Sequence, residues 1–295
     1  MSGQLKEVRD RMKSVRSTQQ ITKAMKMVSA AKLRRAQDAI VQMRPYANKL
    51  EEMLKHILSN VDTDISNVYS RRRRPEKALV VVITSDRGLC GAFNSNIIKA
   101  AVKRIDDRYE QVRKNGGLSI LCIGKRGYDF FRKRYKDCTI IKDHVQLFSD
   151  LSFNNAAKVA DAMMQAFIDL EYDAIDVSYG RFKNPATQYA EMVSYLPVPI
   201  ESKKIRSRRA DYIFEPDEEK LLKELIPSIL EVQFHKFLLD TSASEHGARM
   251  TAMDKATENA EELLRELRIG YNKARQEAIT KELSEIVGGA AALEG

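Results

Sequence analysis

One apolar stripe dominates the last eighty or so residues of this chain. Alternating steps of three and four residues land on Leu222, Leu225, Ile229, Val232, Lys236, Leu239, Ala243, His246, Met250, Met253, Thr257, Ala260, Leu264, Leu267, Tyr271, Ala274 and Ala278, and fourteen of these seventeen are apolar. That alternation is the seven-residue repeat of a left-handed coiled coil. At about 1.5 Å per residue such a helix would be roughly 85 Å long, more than an ordinary domain can cover. A stripe of this length reads as a shaft, and it needs a second helix along it.

The other end of the chain supplies one. From Leu33 the same alternation runs through Ala36, Ile40, Met43, Ala47, Leu50, Leu54 and Ile57. Leu5, Val8, Met12 and Val15 form an earlier run, which we read as lying in a different phase, with a register slip in the polar stretch between Ser17 and Lys32. Charge favours pairing of the two ends: residues 1–58 carry 13 Lys or Arg against 5 Asp or Glu, whereas residues 215–295 carry 10 against 17. Opposite flanking charges suit an antiparallel pair. The seam expected from these stripes contains Leu33, Ile40, Leu50 and Leu54 on the first helix, and Met250, Met253, Leu264 and Leu267 on the second. Two separate helices packed on a globular core are the plainer alternative. Pro45 and Pro227 fall inside the helical runs and are expected to kink or interrupt them.

Between the helices the pattern changes. Ala78–Thr84 is a continuous run of strand formers, as in a strand buried on both faces. A Gly-containing turn at Ser85–Gly91 leads to a helix over 94–114, a strand at Leu118–Ile123, a helix from about Lys125 to Tyr135 and a short strand at Cys138–Ile141. A helix over 154–170, a strand at Ala174–Tyr179 and an edge strand at Tyr189–Leu196 follow. Alternating strands and helices imply a mostly parallel sheet. The expected fold class is therefore α/β with a long antiparallel coiled coil: a helix over 1–58, a Rossmann-like βαβ domain over 76–200 and a helix over 212–290. The basic runs Arg71–Pro75 and Ser202–Arg209 read as exposed connections.

The chemistry-bearing residues are sparse. Ser85–Gly91 sits where dinucleotide phosphates bind in Rossmann folds, but neither G-x-G-x-x-G nor G-x-x-x-x-G-K-[ST] occurs. A tight turn with Asp86 near a helix start explains it as well. The four histidines are scattered, with no metal-ligand spacing. Glu261-Glu262 and Asp217-Glu218-Glu219 read as solvated helix faces. Cys90, Cys122 and Cys138 lie in non-paired spacing and suit reduced thiols. No run of eighteen apolar residues would span a membrane, and no signal or transit peptide is expected at the N-terminus. A net charge of +9 leaves two other readings open, a basic coiled coil that binds nucleic acid and a Rossmann-type enzyme with helical arms. Base-reading groups at groove spacing and a phosphate fingerprint, which these would need, are not evident.

Four blocks of sequence point further. Ile21–Ala36 (ITKAMKMVSAAKLRRA), Ser85–Asn94 (SDRGLCGAFN), Ser244–Ala252 (SEHGARMTA) and Tyr271–Gly289 (YNKARQEAITKELSEIVGG) together resemble the gamma subunit of F-type ATP synthase, in family order and across nearly the whole chain. The likeness is to the bacterial form, without the cysteine-bearing insertion of the chloroplast subunit. The basic Arg71–Arg74 run and the terminal Leu293-Glu294-Gly295 depart from the family pattern.

That resemblance implies a central rotor shaft, itself non-catalytic and without a cofactor or metal. It would couple ion flow through a membrane sector to conformational cycling of catalytic sites elsewhere. The implied partners are the alpha and beta subunits of the catalytic head, the epsilon subunit and the membrane c-ring. No nucleic acid is expected, and the membrane would be met only through partner subunits, at the cytoplasmic face of the bacterial inner membrane. By motif, Lys23, Met25 and Lys26 match the block near an acidic loop of the catalytic subunit. Arg249, Arg275, Gln276 and Thr280 match the head-contacting face, with ordinary solvated shaft charge as the alternative for the two arginines. Leu283, Ile286, Val287 and the Gly288–Leu293 tail match a tip seated in an apolar bearing.

Overall fold

A computed structural model describes the backbone of residues 2–60, 68–71, 73–198 and 218–294. Helix α1 covers Ser2–Asn60 and helix α6 covers Glu218–Glu294. Between them lie β1 (Ala78–Ile83), α2 (Phe93–Arg108), α3 (Glu110–Lys114), β2 (Leu118–Ile123), α4 (Lys125–Arg134), β3 (Thr139–Ile141), α5 (Phe153–Ile168), β4 (Ala174–Asn184) and β5 (Thr187–Leu196). The described residues form two compact units, Ala30–Arg249 and Met1–Ser29 with Met250–Gly295.

The larger unit is built on a five-stranded sheet in the order β3-β2-β1-β4-β5. Strands β1 to β4 run parallel and β5 returns antiparallel to β4. The apolar run at β1 is explained by its central position, where all six residues are buried and both faces are covered. One face packs Val81, Ile83 and Ile175 against Met163 and Phe167 of α5 and Phe234 and Phe237 of α6. The other packs Val80, Val82 and Ile120 against Ile97 and Ile105 of α2 and Phe131 of α4. Phe131 and Phe167 are fully buried, and each contributes about 1.5–3 kcal/mol by leaving water.

Two polar features tie the layers together. Asp176 on β4 is wholly buried, with Arg104 and Arg108 of α2 at 3.3 and 3.6 Å from its Oδ2. The same arginines donate to Met192 O at 3.2 Å and Ser194 Oγ at 3.1 Å on β5, so two side chains of α2 reach both β4 and β5. Gly180 lies where β4 meets α6: its N–H donates to Thr241 Oγ1 at 3.2 Å and its carbonyl accepts from Ser244 Oγ at 3.0 Å. A Cβ at this position would sit 2.6 Å from the Phe93 ring, so the close approach requires glycine.

Within this unit α6 serves two partners. Ile226, Leu230, Phe234 and Phe237 face the sheet, while Ile229 and Val232 pack with Leu50 of α1 beside Met43 and Ala47. Residues 237–245 are consequently buried on all sides. Both helices run on through Pro45 and Pro227, so neither proline interrupts its helix as expected. Arg73 also departs from an exposed connection, lying over the Phe167 ring at 5.4 Å with Asp173 at 3.8 Å. Arg72 and Ser202–Arg209 lie outside the described residues.

In the smaller unit α1 and α6 pair antiparallel. Thr22 faces Thr257, Lys26 pairs with Asp254, and Arg9 donates to Tyr271 Oη at 2.9 Å. Leu5, Val8, Met12, Val15, Gln19, Thr22, Lys26 and Ser29 are the less exposed positions among their neighbours, together with Met25. This corrects the expected register slip. Leu5 and Leu33 are 28 residues apart, four whole heptads, so the two runs share one phase. The stripe continues through Ser17–Lys32 with polar side chains occupying its positions, so the phase is unbroken where the hydrophobicity lapses.

Candidate functional site

In the larger unit the Ser85–Asn94 turn is held from within and by α6. Ser85 N–H donates to Asn94 Oδ1 at 2.9 Å, Ser85 Oγ donates to Arg87 O at 2.7 Å, and Asn94 Nδ2 donates to Ser85 Oγ at 2.8 Å. Asp86 accepts from the backbone N–H of Lys125 at 3.1 Å, so it serves the start of α4 and not, as the tight-turn reading had it, the helix that follows it. Arg249 of α6 donates to Arg87 O at 3.1 Å and Gly88 O at 3.2 Å, and pairs with Glu245 at 2.6 Å. The turn thus presents carbonyls to a guanidinium, the reverse of a phosphate cradle, which presents N–H groups. Leu89 and Gly91 adopt left-handed backbone, with φ of 64° and 58°.

Glu245, His246 and Arg249 meet at this junction, with Cys90, Asp86 and Lys32 near enough to be felt. Burial pushes the Glu245 carboxyl up, with Arg249 pulling the other way. Burial, followed by Arg249 and Lys32, pushes the His246 imidazole down to about 4. Arg249 Nη1 lies 3.4 Å from His246 Nδ1, a contact that suits the neutral ring. The arrangement holds charge in place around the turn.

Sequence-expected positions fall as follows. Leu33, Ile40 and Leu50 are buried in the larger unit. In the smaller one Met253 and Leu264 are buried, and Met250 and Leu267 are partly so. The side chain of Leu54 lies outside the described residues. Lys23 is exposed, Met25 is partly so, and Lys26 is half-exposed while paired with Asp254. Arg275, Gln276 and Thr280 are exposed on α6. Arg249 parts from the solvated charge considered for it, being 8% exposed and committed to Glu245 and the turn. Leu283, Ile286 and Val287 are exposed by 57%, 68% and 66%; the side chains of residues 291–293 in the tail lie outside the described residues. Sequence reading missed Thr241 and Ser244, whose i, i+3 spacing of small polar residues on a long helix was the available signal.

Cys90 and Cys122 are buried, Cys138 is partly exposed, and all three are free; burial raises the Cys122 thiol to about 12. Among the described residues no three His, Cys, Asp or Glu are grouped to hold a metal ion, and no helix is long and apolar enough to cross a membrane.

A mostly parallel α/β sheet domain in a chain that begins and ends with long helices paired antiparallel defines a structural class. Comparison with known proteins narrows the class. The family model described as ATP synthase matches residues 4–293. The ATP synthase gamma chain of Cytophaga hutchinsonii is 50% identical over 292 residues, covering 98% of each chain. That of Chlorobium limicola is 48% identical, covering 98% of this chain and 99% of its own. The chain belongs to the ATP synthase gamma-chain family. Among solved structures, a chain of the Euglena gracilis mitochondrial ATP synthase has a TM-score of 0.69 at 23% identity, covering 99% of this chain and 95% of its own. The central stalk and c-ring assembly of the Tetrahymena thermophila enzyme includes a chain with a TM-score of 0.55 at 25% identity, covering 80% and 99%. Neither a nucleic-acid-binding coiled coil nor a Rossmann-type enzyme is supported.

Proposed function

We propose that this chain is the non-catalytic central rotor shaft of an ATP synthase, with residues 1–58 and 212–290 as the shaft and 76–200 as its base domain. It couples ion flow through the membrane sector to conformational cycling of catalytic sites on other subunits. The carrying observation is full-length membership in the gamma-chain family together with terminal helices paired antiparallel. The partners are the alpha and beta subunits of the head, the epsilon subunit and the c-ring. The chain lies at the cytoplasmic face of the bacterial inner membrane and meets the membrane through those subunits. Lys23, Met25, Arg275, Gln276 and Thr280 contact the head, and Leu283, Ile286 and Val287 seat its tip. Lys26 and Arg249 act from within the chain, through the ion pairs they already make.

Exposed basic groups suit a sliding contact, since such a charge pair is worth only about 0.2–1 kcal/mol and weakens with salt. Native purification with identification of co-purifying subunits tests the partners. ATP hydrolysis and proton pumping, measured together on membranes carrying Lys23→Ala/Arg275→Ala, test the coupling role. Reduced pumping per ATP hydrolysed is expected, and recovery of the chain without head subunits would reject the reading.

A further inference from the structure

Charge collects where the parallel strands begin. Arg249, the last residue of the larger unit on α6, holds the turn that follows β1, so the carboxyl ends of the strands lie at that end of the unit. Helices α2 and α4 run back from there to the opposite end, where α3 and the turn after α4 meet the amino ends of β2 and β3. Arg113 of α3 ties this corner together. It donates to both oxygens of Asp137, at 2.6 and 3.0 Å, and its guanidinium lies 4.2 Å from the centre of the Tyr135 ring.

The carboxylates of this corner are already engaged. Arg113 takes Asp137 and Lys114 takes Glu110, each at 2.6 Å. Arg132, Lys133, Arg134 and Lys136 remain, all exposed and none in an ion pair among the described residues. The one carboxylate of α4, Asp129, is half-buried and pairs with none of them. The dipole of α4 favours cations at this end, but four like charges within five residues also repel one another. An anion from outside relieves that repulsion. Two of the four are already ordered to meet one, with Arg132 5.4 Å from the centre of the Tyr128 ring and Arg134 4.8 Å from that of Phe130. Stacked guanidiniums give up less side-chain freedom on docking. The surface is one-sided, since the α5 side of the same strand ends exposes Asp169 and Glu171.

We propose that Arg132, Lys133, Arg134 and Lys136 form a docking surface for the anionic headgroups of a lipid bilayer. Guanidinium and ammonium groups both bind phosphate. Clusters of basic residues are drawn to anionic membranes, each residue adding about fivefold to partitioning at low salt. The choice of a bilayer rests on the rotor reading above. Helices handed towards the head at the Arg249 end leave the opposite end of this unit towards the membrane sector. A fluid headgroup layer also presents the same charge at every angle of rotation, so the contact slides without a fixed partner.

Co-sedimentation of the full-length chain with vesicles of equal parts phosphatidylglycerol and phosphatidylcholine tests the surface, with phosphatidylcholine vesicles as the neutral arm. Arg132→Gln/Lys133→Gln/Arg134→Gln/Lys136→Gln should lower partitioning onto the anionic vesicles by about tenfold or more. Lys6→Gln/Arg11→Gln/Lys13→Gln/Arg16→Gln removes the same charge from exposed positions of α1 and should lower it by less than about threefold. Equal losses in the two variants, or none in the first, would overturn the proposal. So would release of the parent chain by inorganic phosphate at constant ionic strength, which would mark a site for the free ion. Should the first variant melt below the parent, Lys133→Gln/Lys136→Gln, which leaves both stacked arginines in place, decides with a loss of about fivefold or more. Co-purification from cells expressing the parent and the first variant keeps the two readings apart. If vesicle binding falls as expected but neither chain recovers head and ring subunits, the lipid surface holds and the rotor reading fails. If both chains bind anionic vesicles alike while the variant alone loses those subunits, the surface docks on protein and the lipid proposal fails.

Discussion

Arg249 shows how one side chain can organise a junction. It joins Glu245 on its own helix to two carbonyls of a turn about 160 residues earlier in the chain. Arg249→Ala would leave Glu245 buried without its partner, so it should destabilise the full chain by about 3–5 kcal/mol in denaturant unfolding. Arg249→Lys should recover only part of the loss, because an ammonium cannot serve the carboxylate and both carbonyls in one plane. His246 carries a pH signature. The unfolded imidazole takes a proton near 6.5 and the folded one only near 4. Stability that is present above pH 6.5 is therefore lost as pH falls towards 4, by on the order of 3 kcal/mol at most. Glu245, raised by burial, works against that trend in the same window. Comparing His246→Asn with the parent isolates the histidine share: its thermal midpoint should fall less steeply between pH 7 and pH 5. Basic character at Arg249 was legible in the sequence. Its burial was not, because the groups that bury it belong to a distant turn.

At the scale of elements, periodicity carried most of the information. The β1 strand follows from an unbroken apolar run and the α6 stripe from a three-to-four-residue period. Where the reading failed, at Ser17–Lys32, the phase was present in the numbering but polar side chains at Gln19, Thr22, Lys26 and Ser29 masked it. Hydrophobicity is a proxy for facing a neighbour, and the proxy breaks where hydroxyls and an ion pair do the facing. Leu264 and Glu262 separate seam from surface by a direct comparison. Leu264 is 5% exposed, and Leu264→Asp combines a lost buried side chain with a buried charge, a cost of roughly 3–5 kcal/mol or more. Glu262 is exposed, so Glu262→Ala should stay within about 0.5 kcal/mol of the parent. Helical content and melting of the two full-length variants would show the contrast, and equal midpoints would mean that Leu264 does not face α1.

For the molecule as a whole, the fold class and family were legible because the terminal stripes and four sequence blocks span the chain. The two-faced use of α6 was not, since a helix buried all round carries no simple periodicity over 237–245. One feature of that helix also governs how the free chain behaves as a solute. Ala278 is buried, residues 279–290 are all exposed, and Leu283, Ile286 and Val287 line one side of the exposed turns. Water-facing apolar side chains at this spacing make an adhesive strip. The purified chain should therefore show concentration-dependent self-association by sedimentation velocity, and Leu283→Ser/Ile286→Ser should suppress it without shifting the melting midpoint. Recombinant preparations are then best kept dilute, or made together with whatever covers the strip, since the same residues that would serve as a seat in an assembly act as glue outside one.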